Sequence, residues 1–161
     1  MSASAARPDP APAPRTHVAV VTRACLDAIL SGEKTIESRL SRTRCAPFGR
    51  VSVGDSVYFK QSSGPFRARA TVRRVKAFHG LSAAGVARLR SLYNAGVRGS
   101  PAYWRTKRDA GFATMIWLDE VRAVDEGPSI PALYGRAWIV LPAGGLATPR
   151  AAARTGRLGA E

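Results

Sequence analysis

Three charged residues lie close together in the sequence and could bind a polar ligand or act on one. Lys34, Glu37 and Arg39 occur in the segment ILSGEKTIESR, residues 29–39. On a β-strand, Glu37 and Arg39 share one face at a spacing of roughly 6.5–7 Å, with room for a ligand between them. A carboxylate accepts hydrogen bonds from an exocyclic amino group, and a guanidinium makes forked contacts with phosphate or a base edge. The flexible ammonium of Lys34 could add a phosphate contact or donate a proton.

The same spacing has a second interpretation. Glu37 and Arg39 could form an ion pair on a solvated strand face, which contributes only about 0–1 kcal/mol to stability. Both interpretations require a strand, so the neighbouring elements must show whether the pair faces a cleft or water.

The residues on either side predict the elements that hold this segment. HVAVV (17–21) has the composition of a buried strand. Thr22 can cap a short helix, which Gly32 ends. In the segment KTIESRL that follows, alternation places Ile36 and Leu40 on one face and the charged pair on the other.

The rest of the chain predicts further strands and helices around this unit. Strands are expected at 56–60, 66–78, 112–124 and 137–142, and helices at about 82–93 and 101–110. A bulge near Arg73 and Arg74 would restore the register of the longest strand, as barrels require. Trp117 and Trp138 lie in apolar strands and are expected in the core. The pattern predicts an α+β protein, a small mixed β-barrel of five to six strands with about three short flanking helices.

The basic composition indicates a polyanionic partner. The net charge is +14, with 25 basic against 11 acidic residues, and such imbalance promotes binding to nucleic acid through counterion release. Arg67, Arg69 and Arg73 share one parity of the long strand and would form an exposed basic stripe. The alternative is a solvated face in a protein whose arginine content reflects a GC-rich genome.

Two other segments combine the residue types that bind nucleic acid. Tyr103, Trp104 and Lys107 lie in the helix predicted at 101–110, where aromatic side chains could stack on bases and the lysine could contact phosphate. One of the two aromatic residues is expected in the core, because a short helix must bury something. A further anion site is predicted in the loop formed by Lys60, Ser62 and Ser63, unless that loop is an ordinary turn.

The length of 161 residues fits one domain with a hydrophobic core. We expect that domain to span 16–142, between a disordered Ala/Pro-rich tail at 1–15 and a disordered basic tail at 143–161. The sequence contains no apolar run of about 18 residues and no signal-peptide pattern, so we expect a cytoplasmic protein with no membrane partner.

The cysteines and histidines predict neither a disulfide framework nor a metal site. Cys25 and Cys45 are too few for a framework and fit a reducing compartment. Together with His17 and His79 they match no zinc-binding spacing. No metal and no cofactor are therefore expected, and the sequence does not indicate an oligomeric state.

A short motif carries a resemblance to a known family. Gly32, Lys34, Glu37 and Arg39 form the pattern G-x-K-x-x-E-x-R, preceded by a strand–helix unit and followed by VGDSVYF. The segment resembles the ASCH family, relatives of the PUA domain, over about residues 17–78, with weaker support from the strand at 112–124 and the closing AWIVL. The resemblance implies a PUA-like barrel with a cleft beside the motif, where family members engage RNA or nucleobases.

The resemblance also leaves two kinds of activity open. Some family members resemble ribonucleases, and a small branch hydrolyses the amide of N4-acetylcytidine with Lys, Thr and Glu. The lysine of that branch corresponds to Lys34, but Glu37 occupies the position of its threonine. We therefore favour a module that binds RNA or a (modified) nucleobase. The alternatives are a metal-independent ribonuclease or amidohydrolase, with Lys34 and Glu37 as acid–base pair and Arg39 positioning them, and an adaptor that docks a protein.

Overall fold

Six strands and three helices form the described part of the chain. The computed structural model describes residues 10–130 and 135–142. In chain order the elements are β1 (Thr16–Val21), α1 (Arg23–Ser31), β2 (Ile36–Ser41), β3 (Ser56–Gln61), β4 (Phe66–His79), α2 (Ala83–Val97), α3 (Pro101–Thr106), β5 (Phe112–Ala123) and β6 (Trp138–Leu141). The predicted α+β class is confirmed. The predicted tail at 143–161 and residues 1–9 of the N-terminal one lie outside the described residues, and the domain bounds remain a prediction.

One mixed sheet contains all six strands, in the order β2-β5-β4-β3-β1-β6. Strands β1 and β3 are parallel, whereas every other neighbouring pair is antiparallel. The sheet curls into a half-barrel, in agreement with the predicted small mixed barrel. Because β2 and β6 are the two ends of this order, both are edge strands in the described part of the chain.

Helix α1 covers one face of the sheet, which we call the α1 face. The helix begins where the Thr22 side chain accepts a hydrogen bond from the Cys25 N–H, and it ends at Gly32 with φ +82°. That left-handed conformation favours glycine at the end of a helix. Leu26 and Ile29 are fully buried against side chains of β1, β3, β4 and β5. This core holds α1 against the sheet, and the predicted start of the helix at Thr22 and its end at Gly32 are confirmed.

Helices α2 and α3 cover the opposite face. Ile36 and Leu40 of β2 pack there with Leu89, Trp104 and Met115 in a second apolar cluster. Since side chains alternate along a strand, the intervening residues of β2 point to the α1 face. The predicted alternation along β2 is therefore confirmed.

The second strand is aligned with β5 in a register that determines the neighbours of the charged pair. Glu37 lies opposite Ile116, and Arg39 lies opposite Thr114. Directly opposed residues share a face of the sheet. Thr114 is consequently placed beside the charged residues, although the sequence separates them widely.

Some predicted element bounds are wrong. Helix α2 continues to Val97 instead of ending near Tyr93. Helix α3 ends at Thr106 instead of 110, because the Thr106 hydroxyl donates to the Tyr103 carbonyl and the Lys107 N–H turns to the Trp104 carbonyl. The earlier end of α3 lets Lys107 leave the helix and reach β2.

The long strand β4 contains the predicted bulge and a second irregularity. Its pairing with β5 shifts between Val72 and Arg74, as predicted, and also between Arg69 and Thr71. Bulges bend a strand and increase its twist, which suits a curled sheet. Trp117, predicted in the core, is half-buried and packs against the edge of the second apolar cluster, with the Arg74 guanidinium 4.9 Å from its ring centroid.

A buried polar network joins β1, β6 and the turn before β3. The Trp138 indole N–H donates to Nδ1 of His17 at 3.1 Å, so the other ring nitrogen, Nε2, carries the proton and donates to Asp55 at 2.8 Å. Asp55 also accepts from the backbone N–H groups of Arg15 and Ser52, each at 2.9 Å. His17 is 0% exposed, and its burial holds the pKa of the imidazole below the ordinary value of 6.5.

This depressed pKa predicts that the protein loses stability in mild acid. Below pH 6.5 the unfolded chain takes up a proton at His17 that the folded protein still excludes, so the free energy of unfolding decreases as the pH falls toward the folded-state pKa. Above pH 6.5 this contribution is fully present. Urea denaturation between about pH 7.5 and about pH 5.5 measures it. The His17→Gln variant should lose this pH dependence and His79→Gln should keep it. An unchanged dependence in His17→Gln would contradict the assignment.

Candidate functional site

The ammonium group of Lys34 is enclosed by protein groups. Its Nζ donates to the carbonyls of Ile36 at 2.7 Å and Val97 at 2.8 Å, and lies 3.6 Å from Oε2 of Glu37. The side chain is only 7% exposed. Lys34 therefore connects the end of α2 to the start of β2 and supplies positive charge to the carboxylate from within the fold.

Glu37 and Arg39 contact each other directly. Nε of Arg39 donates to Oε1 of Glu37 at 2.9 Å, so the predicted space for a ligand between the two side chains is wrong. The pair is also not the solvated ion pair of the alternative interpretation, since the Glu37 side chain is 5% exposed and that of Arg39 is 19% exposed. Although β2 is an edge strand in the described part of the chain, the side chains of Glu37 and Arg39 lie on the α1 face and are shielded from water.

Arg39 joins the two sides of the half-barrel. Its guanidinium donates to the Val20 carbonyl at 3.2 Å and to the Ala137 carbonyl at 3.3 Å, and lies 5.2 Å from the ring centroid of Trp138. We call the gap that these contacts span, between β2 and the chain at Val20 and Ala137, the seam. A side chain thus bridges the seam where no described strand pairing does.

Three side chains bind the outward carbonyls of β2 along the seam. Lys34 binds the Ile36 carbonyl, the Tyr103 hydroxyl donates to the Ser38 carbonyl at 3.4 Å, and Lys107 Nζ donates to the Leu40 carbonyl at 3.3 Å. In an antiparallel pair, the N–H groups of the same alternate residues point the same way as their carbonyls. The backbone N–H groups of Ser38 and Leu40 are therefore directed to the seam.

Two adjoining cavities open along this edge. The first, the Glu37 cavity, has a volume of about 430 Å³ and includes in its wall Thr22, Cys25, Lys34, Glu37, Ser38, Arg39, Arg98, Tyr103 and Lys107. The second, the Phe48 cavity, has a volume of about 460 Å³ and includes Arg39, Cys45, Phe48, Lys107, Phe112, Thr114, Arg136 and Trp138. Both volumes lie within the range of about 300–1,000 Å³ typical of small-molecule sites.

One oxygen of the Glu37 carboxylate has an ion-pair contact with Lys34 but no hydrogen bond within the described chain. Oε1 is bound to Arg39, whereas Oε2 is buried and accepts no hydrogen bond from any described residue. A buried acceptor without a hydrogen bond is costly, and most such atoms in proteins have a partner. The Glu37 cavity thus offers an anionic acceptor, held between two cations, to a ligand with a hydrogen-bond donor.

Two further groups of this cavity, the Cys25 thiol and the Tyr103 phenol, are neutral near pH 7. Burial raises the pKa of the Cys25 thiol to about 11 and that of the Tyr103 phenol to about 12. Neither group supplies an anionic nucleophile or base at neutral pH. The Tyr103 hydroxyl instead lies 2.8 Å from the Ser38 hydroxyl and serves as a polar wall.

The fold of this chain is similar to that of several solved structures. A serine-to-alanine variant of an ASCH protein from Zymomonas mobilis matches with a TM-score of 0.58 and 17% identity, covering 81% of this chain and 91% of that chain. The protein itself matches with a TM-score of 0.54 and 17% identity over 67% and 69% of the two chains. The chain has the ASCH-domain fold. A tyrosine-to-phenylalanine variant agrees, with a TM-score of 0.53 and 19% identity over 68% and 75%. No family model matches the chain, and no curated sequence matches it either.

Within this ASCH fold, part of the predicted site comes together. Lys34, Glu37 and Arg39 line the Glu37 cavity with Tyr103 and Lys107, although residues 34–39 and 103–107 are more than 60 positions apart in the chain. Trp104 does not join them, because its side chain is 3% exposed in the core and its indole N–H donates to Asn94. Trp104 is the core member of the aromatic pair.

The other residues predicted to bind nucleic acid lie outside the two cavities of the ASCH fold. Lys60, Ser62 and Ser63 line neither cavity, and Lys60 Nζ donates weakly to the adjacent Gln61 carbonyl at 3.4 Å. Their part in nucleic-acid binding stays a prediction. The same holds for the three arginines of the long strand that were predicted to bind, Arg67, Arg69 and Arg73.

The predicted basic stripe on that strand is not a continuous exposed surface. Arg67 is half-buried, donates to Gln61 and lies 3.5 Å from Asp27, and Arg69 donates to Ser56 and covers the Tyr58 ring. Arg73 alone of the three is exposed, at the bulge. The bulges interrupt the alternation on which the stripe was predicted.

Several cavity residues were not singled out from the sequence. Phe48, Thr114 and Arg136 line the Phe48 cavity, and Arg98 lines the Glu37 cavity. Thr114 could have been found only from the register of β2 and β5, which the sequence does not state. Within residues 10–130 and 135–142, no group of three or more His, Cys, Asp or Glu side chains could hold a metal ion, and no helix is long and apolar enough to cross a membrane.

Proposed function

We propose that this ASCH-fold protein binds RNA by taking the edge of one nucleobase into the Glu37 cavity. The observation that carries the proposal is the buried Oε2 of Glu37, which has no hydrogen-bond partner among the described residues and lies in the cavity wall. An exocyclic amino group is a donor that suits this acceptor. Cytosine and adenine bear such a group, whereas uracil does not.

Positive charge around the cavity supports a nucleotide over a neutral ligand. Arg98 is 53% exposed at its rim, and Lys107 lies half-buried in its wall. The first turn of α1, with Thr22 and Cys25, lines the same cavity, and the amide groups there favour negative charge. The net charge of +14 adds a general attraction for polyanions.

The contacts of the charged residues favour binding over catalysis at this site. An acid–base role for Lys34 requires an ammonium that can reach a substrate, but its Nζ is already bound to two carbonyls. The thiol and phenol of the cavity are protonated near pH 7. We therefore place ribonuclease or amidohydrolase activity second to binding.

The test compares cytidine and uridine monophosphate in isothermal titration calorimetry with wild-type protein and Glu37→Gln. We expect the wild type to prefer the cytidine ligand, and Glu37→Gln to weaken its binding by about tenfold or more, because a charged acceptor is replaced by a neutral one. The affinity for uridine monophosphate should change little in Glu37→Gln. Glu120→Gln removes the same charge at an exposed position of β5 and serves as the matched control.

A separate incubation with the wild-type protein and Glu37→Gln distinguishes binding from catalysis. Short RNA and N4-acetylcytidine are incubated with the protein, and the products are separated by chromatography. Shortened RNA, or cytidine released from its acetylated form, that disappears in Glu37→Gln would support the enzyme alternative. Equal affinity of wild type and Glu37→Gln for cytidine monophosphate would refute the proposed base recognition.

A further inference from the structure

A second subsite adjoins the one just proposed. We infer that the Phe48 cavity takes the base of a neighbouring nucleotide, so that the chain binds two consecutive nucleotides. This inference rests on the proposed function, since the first base occupies the Glu37 cavity. Apart from Arg39 and Lys107, which line both cavities, the residues of the Phe48 cavity have no part in the first one.

The two cavities share a pattern in their buried polar atoms. Among the described residues, two buried side-chain oxygen or nitrogen atoms have no hydrogen-bond partner: Oε2 of Glu37 and Oγ1 of Thr114. Each residue lies in the wall of one of the two cavities. Buried polar groups in proteins are nearly always satisfied, so both atoms indicate ligand contacts. Thr114 is 1% exposed and lies opposite Arg39 in the sheet, which places its hydroxyl beside the bridge of the seam.

The walls of the Phe48 cavity suit the flat face of a base. Phe48 is half-buried and packs edge-to-face on Phe112, with ring centroids 5.1 Å apart and an interplanar angle of 78°. The guanidinium of Arg44 lies 4.9 Å from the centroid of the Phe48 ring, so a base would stack on the other side of that ring. Trp138 forms another part of the wall, but it is 7% exposed and the Arg39 guanidinium lies 5.2 Å from its ring centroid, so the stacking surface is that of Phe48. Aromatic side chains of this kind stack on nucleobases with little regard to sequence. An aliphatic ligand has no flat face to stack on the Phe48 ring.

Cationic groups lie where the phosphates of such a ligand would run. Lys107 and Arg39 line both cavities, so the ammonium of Lys107 can contact a phosphate that joins the two bases. Arg136 is exposed at the other end of the Phe48 cavity. The internal contacts of Arg39 make it the partition between the subsites. Lys107 has weaker contacts, a 3.3 Å hydrogen bond to the Leu40 carbonyl and the Tyr103 ring centroid at 5.8 Å, and is the cation that can turn to the ligand.

The chemistry of the two subsites differs in selectivity. Glu37 offers only an acceptor, which selects a base that carries an amino group. The Thr114 hydroxyl both donates and accepts, so it suits the edge of any base. We therefore assign the Glu37 cavity to an amino-bearing base and the Phe48 cavity to an unselected one.

The experiment measures what the second base adds to affinity. Calorimetry compares cytidine monophosphate with two dinucleotides, one carrying uracil 5′ and the other 3′ to the cytidine, and with matched dinucleotides that lack the uracil base. The abasic ligands keep the phosphate and sugar, so the difference reports the base alone. In one of the two orders we expect the base to tighten binding by about 5-fold to 150-fold, as for stacking on an aromatic side chain.

Variants locate that gain in the Phe48 cavity. Thr114→Val, which keeps the shape of the side chain, and Phe48→Leu should each reduce the gain from the second base at least about threefold while leaving cytidine monophosphate affinity unchanged. Thr71→Val, on β4 and hydrogen-bonded to Glu120, is the matched control. Circular dichroism verifies that each variant is folded. The two variants are independent tests, because they change different side chains of the cavity.

Two negative results have different meanings. If neither dinucleotide binds more tightly than its abasic partner, or if the gain persists in both cavity variants, the second subsite is refuted while the proposed function stands. If cytidine monophosphate binds equally well to wild type and Glu37→Gln, the proposed function fails and this inference fails with it.

Discussion

Replacing Arg39 by methionine is expected to lower the free energy of unfolding by about 3–5 kcal/mol, the range measured when one partner of a buried ion pair is removed. The substitution deletes the donors to Glu37, Val20 and Ala137. It leaves two carbonyls of the seam and a buried carboxylate with fewer partners. Methionine is unbranched and of similar length, so the loss reflects the guanidinium more than the packing. Urea denaturation followed by circular dichroism gives the value.

The control is Arg42→Met, a change of the same type just beyond the end of β2. The Arg42 side chain is 77% exposed and pairs with Asp109 at the surface, so the expected loss is below about 0.5 kcal/mol. A loss below about 1 kcal/mol in Arg39→Met would mean that the bridge across the seam does not hold the half-barrel together.

Replacing Asp55 by alanine is expected to have an effect of similar size, about 3–5 kcal/mol, because three donors lose their acceptor and an unsatisfied buried donor costs about 1–3 kcal/mol. One carboxylate accepts from the His17 ring and from the backbone N–H groups of Arg15 and Ser52. Its removal leaves three donors without their acceptor, of which the His17 ring is fully buried. Unsatisfied buried donors are more costly than an average lost hydrogen bond.

For this second variant the matched control is Asp27→Ala. Asp27 is 57% exposed and its partner Arg67 is 3.5 Å away, so the change should cost no more than about 1 kcal/mol. Both variants are measured in urea at one pH near neutrality. Equal stabilities of Asp55→Ala and Asp27→Ala would contradict the assigned network. The contacts of Arg39 and of the Asp55 network meet at one residue of β6. The Trp138 ring lies beside the Arg39 guanidinium, and its indole N–H donates to His17.

Local patterns in the sequence were sufficient for much of the fold. Thr22 and Gly32 bound α1 as their capping chemistry requires, and the alternation along β2 placed Ile36 and Leu40 on one face. These predictions depend on residues within a few positions of one another. The end of α3 was missed because it depends on a hydroxyl of Thr106 that competes for the Tyr103 carbonyl, which no periodicity records.

The candidate site was predictable in its residues and not in its geometry. Lys34, Glu37 and Arg39 lie together as the spacing suggested, but the ligand space is beside the pair and not within it. The difference arises because Arg39 has partners at Val20 and Ala137, far away in the sequence. Thr114 became part of the argument only through the register of β2 and β5.

The position of β6 has a consequence for how ligand uptake can be observed. This strand has four residues, pairs with β1 alone among the strands that the structure describes, and contributes Trp138 to the wall of the Phe48 cavity. Filling the cavity and keeping the strand docked are therefore two linked equilibria, and each favours the other by the same factor. The amide protons of β6 should exchange more slowly with deuterated water when ligand is bound, so the edge of the sheet acts as a label-free sensor of occupancy.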